Sequence, residues 1–210
     1  MRSLAVLDLG HCPYSEAYAR QQALVNERLS PEVIPDVLVW VEHPEVYTYG
    51  RKNPPALGVA GVESFFVERG GEATYHNPGQ LVAYPILKLG PEEKDLHRYL
   101  RDLESVLCET LHDFGISGAP KAGATGVWVR DGEKKIASIG IASRAWVTYH
   151  GIALNVSNDL TGFGRISPCG FSPDVMTSME KELGQAPSMT AVRDAFLHHF
   201  CKRFQRMVVR

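Results

Sequence analysis

Two periods of hydrophobic spacing run along this chain and mark out its elements. SLAVLDLG (3–10) and the valine-rich VLVWVEH (37–43) read as strands, VYTYG (46–50) alternates, FFVERGG (65–71) ends in paired glycines, and LVAYPILKL (81–89) is apolar enough for a buried strand. Between the first two, PYSEAYARQQALVNERLS (13–30) carries Pro13 near its start and helix formers after it, which predicts a helix. From Asp95 to Phe114 the residues Leu96, Leu100, Leu103, Leu107, Leu111 and Phe114 recur at steps of three and four. That spacing predicts an amphipathic helix, with Gly115 as its stop. GVWVRDGEKKIASIGIA (126–142) reads as a hairpin turning at Asp131 and Gly132, WVTYHGIALNV (146–156) continues the sheet, and residues 189–208 read as a last helix.

Strands arrive in groups and helices singly. This order fits an α/β protein of the α+β type, with a mixed, largely antiparallel sheet flanked by helices, and disfavours a strict βαβ array. Neither GxGxxG nor GxxxxGK[ST] occurs, so the usual phosphate-cradling loops are absent. Without repeats, low-complexity tracts or linkers, residues 1–210 are expected to form one domain.

Composition narrows the partners. Hydrophobic residues make up 44% and charged residues 22%, ordinary for a globular chain, and the formal net charge of −2 speaks against a general nucleic-acid binder. No apolar run approaches the roughly 20 residues that span a bilayer. The N-terminal apolar stretch is short and meets Asp8 too soon for a secretory signal. A cytoplasmic protein without a membrane partner is expected, and the scattered Cys12, Cys108, Cys169 and Cys201 are expected to be reduced thiols.

Three of those thiols have bland readings. Cys201 shares a helical face with Leu197, Phe204 and Val208, Cys108 adjoins the apolar stripe of the 95–114 helix, and Cys12 stands in a turn before Pro13. Cys169 lies in ISPCGF, between Pro168 and Gly170 and outside any periodic apolar face, where proline limits the backbone and glycine permits close approach. Local context leaves two readings open, a presented nucleophile or a loop thiol without chemistry. A nucleophilic cysteine needs a basic or cationic neighbour, since a free thiol ionises only near pH 8.5. In EKKIASIG, Lys134 and Lys135 enter a strand in which alternate side chains face opposite ways, so one points inward if the other meets water. Spacing alone does not select Lys135. The eight histidines lack metal-ligand spacing, and no metal site is expected.

Three blocks in order, RGGEATYHNPGQLVAYPI, then KKIASIGI followed by YHGIALNV, then ISPCGF, resemble the lipoyl(octanoyl) transferase family of lipoate biosynthesis. The resemblance extends from the first strand to about residue 185 and implies the biotin and lipoate protein ligase catalytic-domain fold. It implies an enzyme that takes an octanoyl group from acyl carrier protein and gives it to a lysine of lipoyl domains, those of 2-oxoacid dehydrogenases and of the glycine cleavage H protein. The transfer passes through an acylated cysteine without a cofactor. Residue by residue, the nucleophile maps to Cys169 and its activating lysine to Lys135. The acyl-pocket segments map to Arg69, Gly70, Gly71, Glu72, Ala73, Thr74, Tyr75 and His76, to Ser138, Ile139 and Gly140, and to Gly151, Ile152 and Ala153.

His76 is read either as a donor to the thioester oxygen or as an organiser of its loop, and His150 has the same two readings. Arg51, Lys52, Lys202, Arg203, Arg206 and Arg210 either steer acidic carrier domains or form a solvated face. One position departs from the resemblance: Asn77 stands where glycine usually follows the histidine. Asparagine tolerates positive φ, so the turn is expected to survive with a side chain that crowds the pocket. Readings left beside the transferase are an ATP-dependent lipoate or biotin ligase, an amidotransferase between lipoylated proteins, and a non-catalytic binder of acylated carrier domains.

Overall fold

The computed structural model describes residues 2–30, 32, 34–52, 59, 61–166 and 172–209. An eight-stranded sheet contains β1 (Arg2–His11), β2 (Asp36–Glu42), β6 (Gln80–Ile86), β7 (Ala119–Lys121), β8 (Ala124–Val129), β9 (Lys134–Arg144), β10 (Val147–Asn155) and β11 (Arg206–Val208). A three-stranded sheet is built from β3 (Val46–Tyr49), β4 (Glu63–Phe66) and β5 (Thr74–His76). The large sheet runs β11-β1-β2-β6-β10-β9-β8-β7 and the small one β4-β3-β5. Parallel pairing is confined to β1 with β11, β1 with β2, and β3 with β4 among the described strands; the rest are antiparallel. The mixed, largely antiparallel sheet that the sequence predicts is therefore present.

Helices cover both faces of the large sheet. On one side lie α2 (Leu96–Asp113), the short α3 (Met179–Leu183) through its buried Met179, and α4 (Met189–Phe204); Leu103, Leu107 and Leu111 of α2 and Val192, Phe196 and Phe200 of α4 are buried against Leu38, Leu81, Ile136 and Leu154. On the other side α1 (Tyr14–Leu29) packs Ala17, Leu24 and Val25 against Val39, Val82, Tyr84 and Ala153. The alternation in β6, where Leu81 and Ala83 face one cluster and Val82 and Tyr84 the other, explains its unbroken apolar run: both faces are covered. The Asp95 carboxylate caps α2 by accepting the His97 and Arg98 N–H groups at 2.9 and 3.0 Å, and Gly115 at φ +79° ends it.

The expected last helix is shorter than its apolar pattern. Gln205 turns left-handed at φ +51°, and residues 206–208 pair with β1 as β11, so Val208 is exposed instead of sharing a helical face with Cys201. A charge knot enforces the switch. Arg206 is buried, donating to Asp36 Oδ2 at 2.9 Å and Glu93 Oε1 at 2.7 Å, while Arg28 donates to Asp36 Oδ1 at 2.7 Å. Arg206 is thus a structural residue, which corrects both of its readings, a steering charge and a solvated face; Arg203 pairs with Asp102 and stays exposed. FFVERGG also divides. Only Glu63–Phe66 is strand, and residues 67–71 turn over the large sheet, where Gly70 N–H donates to Ile141 O at 2.9 Å.

Candidate active site

β9 and β10 form the floor of the site. Gly140 pairs with Gly151, Ile139 with Ile152 and Ser138 with Ala153, and these six residues line one cavity. Glycine is required at the crossing: a Cβ on Gly151 would lie 2.1 Å from Ala83 O, and one on Gly140 would lie 2.9 Å from Arg69 Cδ. Arg69, Gly71, Thr74 and His76 supply the opposite wall, and the enclosed and mouth space together measure about 450 Å³.

The 69–76 stretch that sequence reading takes as one pocket segment serves two purposes. Strand alternation in β5 turns Thr74 and His76 to the cavity, whereas Ala73 and Tyr75 enter a separate apolar cluster with Tyr47, Phe163 and Met176. Tyr75 OH is committed to Glu45 at 2.7 Å. Gly70 and Glu72 do not line the cavity either; Gly70 ties the turn to β9 and Glu72 O accepts the Gly50 N–H. Arg69 is buried, donating to Thr48 O at 2.7 Å and to Gly70 O at 3.0 Å, so it clamps the turn onto β3.

Four lining residues were not among the expected pocket positions: Tyr14, Thr48, Tyr84 and His150. For Tyr84 and His150 the available signal was a polar side chain inside an otherwise apolar, strand-like run; Tyr14, at the start of a helix, gave none. His150 also takes φ +55°, a strained backbone for a non-glycine residue in mid-strand.

Three histidines around this cavity are held neutral. Burial drives His76 down to about 3, with His43, Arg69 and His150 adding to the depression against a Gln80 hydrogen bond. Burial likewise lowers His43 and His150 to about 4 each; the Glu68 charge works upward on His150 and is outweighed. His76 Nδ1 meets Gln80 Oε1 at 2.7 Å, and Gln80 Nε2 donates to Tyr75 O and Asn155 Oδ1. That orientation assigns the proton to Nδ1 and leaves Nε2 an acceptor, so the neutral ring is an organiser and not a donor to a thioester oxygen.

The polar chain continues toward β9. Asn155 Nδ2 donates to Thr177 O at 2.9 Å, and Thr177 N–H donates to Lys135 O at 2.9 Å. Of the two lysines entering β9, Lys134 reaches Asp174 O, while Lys135 is 1% exposed, as the alternation of strand side chains requires. Its Nζ has no hydrogen-bond partner among the described residues and stands 5.6 Å from the centre of the Trp128 ring. Gly126 makes the room, since a Cβ there would lie 2.9 Å from Lys135 Cε. Cys169 lies outside the described residues. On either side of it in sequence, Ile166 and Met176 pack into the same apolar cluster, and Met176 forms a parallel bridge with Lys135.

Asn77 does not crowd the cavity. It has no positive φ; the left-handed residue of the turn is Gly79 at φ +86°. Asn77 donates to Asp159 O at 2.9 Å and accepts from Asn158 Nδ2 at 3.0 Å, pointing away from the lining residues.

Residues 13–201 match the lipoyl protein ligase A/B catalytic domain. The chain belongs to that family. An octanoyltransferase of Syntrophotalea carbinolica is 47% identical over 198 residues, covering 94% of this chain and 92% of the relative. One of Chloroflexus aggregans is 45% identical, covering 97% and 96%. Among solved structures, a bipartite lipoate protein ligase from Thermoplasma acidophilum superposes with a TM-score of 0.76 at 18% identity, covering 100% of this chain and 88% of that one. A biotin protein ligase from Aquifex aeolicus does so at 0.55 and 15%, covering 98% and 69%. These distant likenesses concern the fold, and the fold is that of the lipoate and biotin ligase catalytic domains.

Proposed function

We propose that this protein is an octanoyltransferase of lipoate biosynthesis, an acyltransferase that moves octanoyl from acyl carrier protein to a lysine of lipoyl domains through a thioester on Cys169. The class rests on near-full-length identity to octanoyltransferases. The observation that carries the mechanism is Lys135, a buried amine without a hydrogen-bond partner among the described residues, paired through its backbone with the segment that follows Cys169 in sequence. An isolated ammonium in a dry site is costly, and a thiolate is the partner that relieves that cost while keeping the sulfur nucleophilic.

In the first step the Cys169 thiolate attacks the carrier thioester carbonyl. The carbonyl-to-carrier sulfur bond breaks, and the carrier thiol leaves with a proton from Lys135. One thioester replaces another, so no ATP is consumed. In the second, the neutral amine of the lipoyl-domain lysine attacks the same carbon. An amide forms, the bond to Cys169 breaks, and the amine's proton passes through Lys135 to restore the dyad. The acyl chain lies over Ser138–Gly140 and Gly151–Ala153, gaining about 0.8 kcal/mol per buried methylene. The 1–210 chain acts as one catalytic unit, with the 2-oxoacid dehydrogenases and glycine cleavage H protein as acceptors.

Intact-mass spectrometry after mixing with octanoyl carrier protein tests this. The expected result is one octanoyl adduct, mapped to Cys169 and discharged by lipoyl domain. No adduct, together with acylation of the lipoyl domain from free octanoate and ATP, would instead make the protein a ligase.

A further inference from the structure

One end of the acyl cavity is built from polar atoms that a saturated chain cannot satisfy. Tyr14 Oη, Thr74 Oγ1 and His150 Nε2 are buried and have no hydrogen-bond partner among the described residues, and all three residues line the same cavity. They come from α1, β5 and β10, so no single element's geometry strands them. None is accidentally exposed: Tyr14, Thr74 and His150 are 2%, 7% and 2% accessible. Glu68 Oε2, 3.9 Å from His150 Nε2, is beyond hydrogen-bond reach and accepts from the Tyr18 hydroxyl at 2.9 Å, while Oε1 accepts from Tyr18 and Tyr149.

These atoms gather away from Lys135. His150 pairs with Ile141 on β9, six positions from Lys135, which at the strand rise is about 20 Å. Tyr14 joins that end through Tyr18, stacked 6.1 Å from Tyr14 and 5.7 Å from His150. Thr74 joins it through Thr48, its partner across the small sheet, which Arg69 clamps beside Gly70 and Ile141. The cavity floor between, at Ser138–Gly140, is three to five positions from Lys135.

Folded proteins pair nearly all buried polar groups, and an orphan hydroxyl facing hydrocarbon is unfavourable. We infer that the Ile141 end of the cavity is a polar subsite that accepts a hydrogen-bonding oxygen near the far end of the acyl chain, so that the pocket takes terminally hydroxylated medium-chain acyl groups as well as saturated ones. Tyr14 and Thr74 can each donate to or accept from such an oxygen. The neutral His150 ring offers Nε2 as either partner, according to its tautomer. The inference builds on the proposed acyl site, so its test includes a readout that needs no transfer.

Free octanoate and 8-hydroxyoctanoate are titrated calorimetrically into the wild-type chain, Tyr14→Phe and Thr74→Val. In parallel, the carrier-bound forms of both acids are compared as donors. For the wild type the hydroxylated acid is expected to bind at least as tightly as octanoate. The hydroxylated-to-saturated affinity ratio is expected to fall about tenfold in either variant, the amount one lost hydrogen bond represents. A wild-type ratio below one tenth, or variants that weaken both acids equally, would overturn the subsite. If binding follows the expected pattern while neither carrier-bound donor is used, the subsite stands and the transferase reading fails.

Discussion

In the proposed mechanism Lys135 puts stability and chemistry in opposition at a single nitrogen. Replacing the proposed buried ammonium–thiolate pair by an apolar side chain of similar volume and a neutral thiol relieves the desolvation of two charges, so Lys135→Met is expected to unfold at a higher temperature than the wild type while losing transfer. Loss of a positioned proton carrier is worth roughly 10²- to 10⁴-fold in rate. A calorimetric scan beside an octanoyl-transfer assay reads both; a variant that is less stable and still active would show Lys135 to be a packing residue. Asn77 has the reverse profile. Its two side-chain hydrogen bonds hold Asp159 and Asn158, so Asn77→Gly is expected to lose about 1–3 kcal/mol of stability without any gain in transfer. Denaturant unfolding and the same assay check it, and faster transfer by the glycine variant would restore the crowding explanation.

At the scale of elements, the site depends on how closely β6 and β10 approach. Gly151→Ala would drive a methyl into Ala83 O and Pro85 Cδ, both set by the backbone of the neighbouring strand, so the pair must part. A loss of about 1–3 kcal/mol or more is expected, along with weakened octanoate binding, whereas Gly164→Ala, with no atom within 4 Å of the added carbon, should change neither. Equal thermal shifts for the two would remove the close approach as the reason for glycine. This geometry also marks where sequence reading works. The α2 stripe and the β8–β9 turn at Asp131 and Gly132 are legible because local periodicity and turn chemistry decide them. The ends of β4 and α4 are not, because they are fixed by distant partners: Ile141 O for the 67–71 turn, Asp36 and Glu93 for Arg206. Of the motif residues, Arg69, Thr74, His76 and the β9–β10 floor line one cavity, but alternation in β5 sends Ala73 and Tyr75 elsewhere. Tyr14, Tyr84 and His150 reach the cavity from α1, β6 and β10, a convergence that no local window contains.

For the whole molecule, the neutral histidines link the cavity to global stability. His43 and His76 form an edge contact at 5.7 Å, His43 Nε2 meets Tyr84 OH at 2.7 Å, and His150 stacks on Tyr18. Their folded values of about 4, 3 and 4 lie below the roughly 6.5 of an unfolded histidine. Between those limits the unfolded chain binds protons that the folded chain refuses, so unfolding becomes easier as pH falls. The contribution is fully present above about pH 6.5 and declines by about 1.4 kcal/mol per pH unit for each histidine through the window. Urea unfolding at pH 7, 6 and 5 is expected to show a steady loss of stability, before carboxylates with lowered values such as Glu93 begin to titrate. His43→Gln, which keeps a polar group near Tyr84 but cannot take up the proton, should reduce the slope by about one histidine's share. A wild-type stability that is level from pH 7 to 5, or a slope untouched in His43→Gln, would mean that these rings do not resist protonation in the folded protein and that the wall they form is wetter than its packing indicates.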